Sequence, residues 1–167
     1  MKIRILTLVV SVLVITYNCK EKSATDKEPY LGEMAHDAQL ADNNQTKLVK
    51  VDDIQMAFDL MGIGYHKKMM KLMKAKMEHL EGATHGLMIT IMDNKTKDII
   101  KGAQVTLSIV HPDGHSENIV TEVMAGAGMH HYATHIDASD KGKYLISASI
   151  LLRGRSYNAR TEFIIDK

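Results

Sequence analysis

From residue 84 onward, apolar and polar positions alternate almost one for one. Val105, Leu107 and Ile109 are interleaved with Thr106 and Ser108. Ile119, Thr121 and Val123 take turns with Val120, Glu122 and Met124, and Tyr144, Ile146, Ala148 and Ile150 repeat the rhythm further on. Tyr157 to Ile165 makes a last short segment of the same kind. Asp93-Asn94, Pro112-Asp113-Gly114, Gly126 with Gly128, Asp140-Lys141-Gly142 and Gly154 punctuate these runs with turn formers. A period of two places alternate side chains on opposite faces of a strand. Six or seven such strands at short spacing predict a mainly β chain, an antiparallel β-sandwich over residues 83–167.

The preceding stretch follows another period. Residues 48–82 are predicted to be helical, with Asp52-Asp53 opening a short helix that carries Ile54, Phe58 and Met61. Gly62 and Gly64 interrupt it. Tyr65 to Leu80 has neither Gly nor Pro and is rich in Lys, Met, Leu and Glu, which favour helix. Gly82 supplies a stop. At 100° per residue, His66, Met69, Met70, Met73, Met77 and Leu80 fall on one stripe, with Lys67, Lys71, Lys74 and Glu78 on its flank. The sandwich is thus expected to follow a Met-rich amphipathic helix.

The N-terminus predicts an address. Lys2 and Arg4 precede the apolar run Ile5 to Ile15, the layout of a secretory signal peptide. The run is short of the roughly 20 residues that a spanning helix needs. Cys19, the one cysteine, follows Thr16-Tyr17-Asn18 and reads as the lipidation site of a bacterial lipoprotein, although a small residue is usual where Asn18 stands. Residues 1–18 are then the signal peptide and 19–47, polar and without period, a flexible tether. This predicts a lipid anchor in the bacterial cell envelope, on a periplasmic or extracellular face. Loss of Lys2 and Arg4 would leave 19 of the 21 basic residues against 20 acidic ones. That balance gives nucleic acid no general attraction. A single cysteine permits no internal disulfide, so stability has to come from packing.

Composition then adds chemistry. The chain has nine histidines and twelve methionines but no tryptophan, and all of these except Met1 lie beyond Cys19. Thioether and imidazole together suit copper, above all Cu(I). Met124, Met129, His130, His131 and His135 crowd around the Gly126/Gly128 loop. In an extended strand His131 and His135 share a face, while His130 joins Tyr132 and Thr134 on the other. Further up the chain, His85 precedes a strand with Leu87, Ile89 and Ile91 on one face and Met88, Thr90 and Met92 on the other. Packing of Met88 and Met92 against the helix stripe would make a methionine seam with no metal in it. His66, Met70 and Met73 would alternatively lend ligands from the helix. His111 and His115 flank the Pro112-Asp113-Gly114 turn and are expected to be solvent-exposed turn residues.

The run Met124 through Gly128-Met129-His130-His131-Tyr132-Ala133, followed by Lys141-Gly142-Lys143-Tyr144, resembles the YtkA/FixH-like family of small extracytoplasmic β-sandwich domains. Thr84-His85-Gly86-Leu87-Met88, Gly102-Ala103-Gln104-Val105 and Pro112-Asp113-Gly114 fit the same layout, so the resemblance covers residues 84–165. More distantly, the chain is similar to periplasmic copper-binding sandwiches that assist iron uptake, where a His-Tyr-Gly element and methionines surround the metal. The resemblance implies an immunoglobulin-like sandwich and a link to copper supply. Ala133 stands where glycine is common, and His130 is an additional imidazole, so either His130 or His131 would match the family ligand.

These readings converge on a membrane-anchored copper-binding lipoprotein that captures or delivers metal and exchanges it with another envelope protein. His85, Met88, Met124, Met129 and His131 are its expected ligands, with His130 and His135 beside them and His66, Met70 and Met73 secondary. The alternative is a non-catalytic structural or interaction lipoprotein whose methionines are packing. Catalysis is not expected: there is no Gly-x-Ser-x-Gly elbow, phosphate-binding glycine loop or His-Glu-x-x-His motif.

Overall fold

The computed structural model describes residues 44–76, 81–126 and 128–166. The expected signal peptide, Cys19 and most of the tether lie outside the described residues, as do Met77 and Leu80 of the helix stripe. The described chain forms nine strands and one helix: β1 Gln45–Val51, β2 Ile54–Gly62, α1 Ile63–Met73, β3 His85–Asp93, β4 Gln104–Val110, β5 Ser116–Val120, β6 Glu122–Gly126, β7 Met129–Ile136, β8 Gly142–Leu152 and β9 Arg155–Ile165. The strands build two antiparallel sheets, ordered β1-β2-β3-β7-β6 and β5-β4-β8-β9. This is the predicted β-sandwich.

Between the sheets lies one apolar core. Ile54, Met56, Phe58 and Leu60 of β2, Leu87, Ile89 and Ile91 of β3, and Tyr132 and Ile136 of β7 face Val105, Leu107, Ile109, Tyr144, Ile146, Ile150 and Phe163 of the other sheet. The period of two read from residues 105–109 and 144–150 is what places these side chains inward. At the β8–β9 turn, Arg153 and Gly154 both have positive φ, the geometry that matches the twist of a two-residue hairpin.

Two expectations need correction. Residues 48–62 are not helical but form most of a hairpin, β1 and β2, closed by Asp52-Asp53 with Asp52 at φ 52°. β2 is buried on both faces almost throughout, so apolar residues stand on both, with Gln55 and Asp59 the polar exceptions. Such a stretch meets the helical spacing at Ile54, Phe58 and Met61 as readily as a strand pattern. The aspartates that read as a helix start make the hairpin turn instead. The sandwich therefore begins at Gln45 rather than at residue 83. Similarly, residues 116–126 are not one strand. The chain leaves one sheet at Val120 and joins the other at Glu122. Thr121 anchors the crossing by donating from its N–H and its hydroxyl to the Val105 carbonyl, at 3.1 and 3.0 Å.

The helix is shorter than its pattern. It starts directly from β2, with the Ile63 N–H donating to the Thr84 carbonyl at 2.9 Å. Its end is set at Lys74, whose left-handed backbone (φ 53°) lets Lys74 and Ala75 N–H groups close on the Lys71 and Met70 carbonyls. Among the described residues, no helix is long and apolar enough to cross a membrane.

Candidate metal centre

The outer face of the five-stranded sheet is where α1 packs, across β2, β3 and β6. Strand register decides which side chains meet it. Gly86 pairs with Met61 on one side and with His135 on the other. Two residues along β3, Met88 pairs with Asp59 and Ala133, and Met124 of β6 stands opposite His131 of β7. From above, α1 lowers His66, Met69 and Met73, spaced by three and four residues and so on one helix face, onto this surface. Met61, Met69, Met73, Met88 and Met124 are all buried, and none belongs to the core between the sheets. A second, sulfur-lined layer thus separates helix and sheet.

Two glycines allow the helix to come so close. A Cβ on Gly86 would lie 2.3 Å from Cγ and Nδ1 of His66, so the imidazole rests directly on the β3 backbone. A Cβ on Gly126 would lie 2.1 Å from the Met73 carbonyl oxygen, which fixes the C-terminal end of α1 over β6. Between these points the imidazoles gather. The His66 and His135 rings meet edge to face with centroids 4.9 Å apart. His131 lies on the same strand face as His135, and its Nδ1 is 2.7 Å from the Thr90 hydroxyl.

The electrostatics are those of a buried, uncharged site. His66 is fully buried, and among the described residues neither of its ring nitrogens has a hydrogen-bond partner; nor does Nε2 of His131. Burial, and then the proximity of His135 and His131, push the His66 pKa down to about 4. Burial also lowers His131, with His130 adding to the effect. These rings are neutral at pH 7 and keep lone pairs available to a cation. A buried polar nitrogen without a partner is uncommon in a finished core.

Of the sequence candidates, the fold brings together His66, Met73, Met88, Met124, His131 and His135. Met70 is half-buried at the helix flank, and Met129 is half-buried at the start of β7, opposite Gly126. Two candidates point elsewhere. His85 alternates with Gly86 and so lies on the opposite face of β3 from Met88, its Nδ1 2.9 Å from the Thr84 hydroxyl. His130 lies on the other face of β7 from His131, with its ring edge-on to Tyr132 at 5.2 Å. The expected placement of His85 with Met88 and His131 is therefore corrected: strand parity separates them. His115 is solvent-exposed as expected, but His111 is not. His111 is only 6% exposed, stacks on His115 at 3.8 Å and meets Glu117 at 3.0 Å, while His115 meets Asp113 at 2.7 Å. Sequence reasoning left Met61, Met69, Gly86, Thr90 and Gly126 out of the site. The alternation that put Met88 outward would have added Thr90, but the roles of the glycines depend on the helix position.

Among the described residues, no group of three or more His, Cys, Asp and Glu side chains is placed to hold a metal ion. A centre under α1 therefore has to draw on thioethers as well as imidazoles. Neutral imidazole with thioether is a soft donor set, suited to Cu(I) rather than to Mg or Ca. The unpartnered nitrogens of His66 and His131 and the adjoining buried sulfurs fit such an ion.

No protein-family model matches the chain, and no curated protein matches it. The resemblance to YtkA/FixH-like domains is thus carried by sequence motifs alone. Solved structures do match in fold. Periplasmically expressed FetP from uropathogenic Escherichia coli strain F11 is 16% identical, with a TM-score of 0.54 over 74% of this chain and 95% of its own. A copper-bound variant of the same FetP is 15% identical, with a TM-score of 0.54 over 74% of this chain and 91% of its own. A DUF4426 family protein from Pseudomonas aeruginosa is 10% identical, with a TM-score of 0.54 over 73% of this chain and 97% of its own. At these identities the likeness is one of fold.

Proposed function

We propose that this protein is an extracytoplasmic copper carrier that takes up Cu(I) as cargo beneath α1 and passes it to another envelope protein. The observation that carries this reading is the pair of buried imidazoles, His66 and His131: both ring nitrogens of His66 and Nε2 of His131 lack a hydrogen-bond partner among the described residues, beside a layer of buried methionines. His66 and His131 would hold the ion together with thioethers drawn from Met69, Met73, Met88 and Met124. Thioethers bind without losing a proton, and the depressed pKa of His66 keeps that ring neutral in mild acid, so binding tolerates moderately low pH. The copper-bound FetP variant supports the reading, because the same sandwich carries copper there. Cys19 would be the lipid anchor, with the tether linking it to the domain. The carrier is non-catalytic, and its partners are copper donors or acceptors rather than nucleic acid.

A competitive anaerobic titration with a chromophoric Cu(I) chelator tests this proposal. One equivalent held against the chelator, and lost on changing His66 and His131 to Ala, is the expected result. The tight burial of Met61, Met69, Met73, Met88 and Met124 favours a second reading, in which the layer is packing and the lipoprotein serves as an interaction module. Under that reading the chelator removes all copper, and thermal stability is indifferent to added Cu(I).

A further inference from the structure

His131 sits between two very different neighbours. Its Nδ1 is 2.7 Å from Oγ1 of Thr90, and both residues are buried. Its Nε2 is buried, with no hydrogen-bond partner among the described residues. The contact is built by the sheet: Met124 backs His131 on β6, while Thr90 flanks it on β3, two residues from Met88. A neutral imidazole has one N–H and one lone pair, and the partner of one nitrogen decides which atom carries which. If Thr90 donated to Nδ1, the N–H would sit at Nε2, a buried donor with nothing to receive it. A buried N–H without an acceptor costs the desolvation of that donor, and His66 already carries one such group. With Nδ1–H donating to Thr90 Oγ1, Nε2 instead carries a lone pair within the layer that holds His66 and the buried methionines.

We infer that Thr90 is a positioning residue that fixes His131 in the Nδ1–H tautomer and so leaves the Nε2 lone pair free for a ligand in the buried layer beneath α1. This deepens the copper reading and rests on it for its purpose, but the tautomer itself is a property of the metal-free protein. Metal-bound histidines generally donate their second ring nitrogen to an oxygen, which orients the ring and raises its basicity. Here a neutral hydroxyl fills that place, consistent with a site that admits no added negative charge.

The test uses the metal-free protein first. Long-range ¹H–¹⁵N correlation spectra of ¹⁵N-histidine-labelled protein near pH 7.5 should show His131 protonated at Nδ1, the form disfavoured in free imidazole side chains. Thr90→Val, which keeps the shape and removes the oxygen, should move the proton to Nε2. It should also weaken Cu(I) binding about 10–100-fold in the chelator competition, and Thr90→Ser should restore both readouts. An Nε2–H tautomer in the wild-type protein would overturn the inference, as would an unchanged tautomer in Thr90→Val. Thr90→Ser separates loss of the oxygen from a packing defect, since it keeps the hydroxyl while giving up the methyl. If the wild-type protein held no Cu(I), the copper reading would fall, and the tautomer spectra alone would decide the role of Thr90.

Discussion

Replacing Gly86 by alanine puts the helix–sheet contact to a quantitative test. In an ordinary strand this change stabilises, because glycine interior to a strand costs roughly 0.5–1 kcal/mol relative to alanine. At Gly86 the added carbon would lie 2.3 Å from Cγ and Nδ1 of His66 and 2.8 Å from its Cβ. Rotation about the Cα–Cβ bond moves the ring but leaves the His66 Cβ in place, so α1 itself has to lift. The His135 ring, 4.9 Å away by centroid, occupies one route of escape. Overpacking of this kind costs about 1–3 kcal/mol, and the backbone-linked contact puts Gly86→Ala toward the upper end. Urea unfolding followed by far-ultraviolet circular dichroism should then show a midpoint lowered by about 1 M, given slopes of about 1–3 kcal/mol/M for small proteins. Gly64→Ala is the matched control. No atom lies within 4 Å of its added carbon, and the helical position should gain about 0.5–1 kcal/mol. In a double-mutant cycle, His66→Ala should relieve the share of the cost that the ring imposes, while the retained Cβ, 2.8 Å from the added carbon, keeps the remainder. A Gly86→Ala protein as stable as wild type, or a penalty wholly unchanged by removal of the ring, would refute the close contact between ring and strand.

Other expectations follow from the same geometry. The folded-state pKa of His66, about 4, lies below the ordinary histidine value of 6.5, so the unfolded chain binds this proton more readily. The stabilisation is therefore complete above about pH 6.5, declines as pH falls and is exhausted near pH 4; its full size is on the order of 3 kcal/mol. Urea midpoints measured from pH 7.5 to 4.5 should track this loss, and His66→Leu should flatten the profile. Met124→Leu with Met129→Leu conserves volume, so it should cost less than about 1.5 kcal/mol per site while weakening Cu(I) retention; unchanged affinity in the chelator competition would exclude both sulfurs. His85→Ala should leave Cu(I) affinity at the wild-type value, because His85 faces away from the cluster; a tenfold loss would contradict the strand parity.

The sequence carries most of the second half of the fold. Strands with one wet face display the period of two, and residues 105–109 and 144–150 do so plainly. β2 is the opposite case. Buried against the core on one side and largely covered on the other, it carries Ala57 and Met61 beside Gln55 and Asp59 on its outer face, so its alternation is blurred and Ile54, Phe58 and Met61 pass for a helix. The site was legible in pieces for the same reason. Parity along one strand groups His131 with His135 and sets Met88 outward, and helical spacing groups His66 with Met73. Parity also separates His85 from Met88, a consequence that proximity in sequence obscured. What no local pattern contains is the meeting of His66 with His135. That contact depends on a helix laid across the sheet, and its only sequence trace is the absence of a side chain at Gly86 and Gly126.

The central claim is that imidazoles from α1 and β7 and thioethers from the layer between them hold one copper ion. X-ray absorption at the copper edge on protein loaded anaerobically with one equivalent of Cu(I) tests it most directly. The account expects a mixed shell of nitrogen and sulfur scatterers, with the imidazole contribution reduced in His66→Ala and in His131→Ala. A shell of nitrogen and oxygen alone, or one indifferent to both substitutions, would contradict it and leave the methionines as packing.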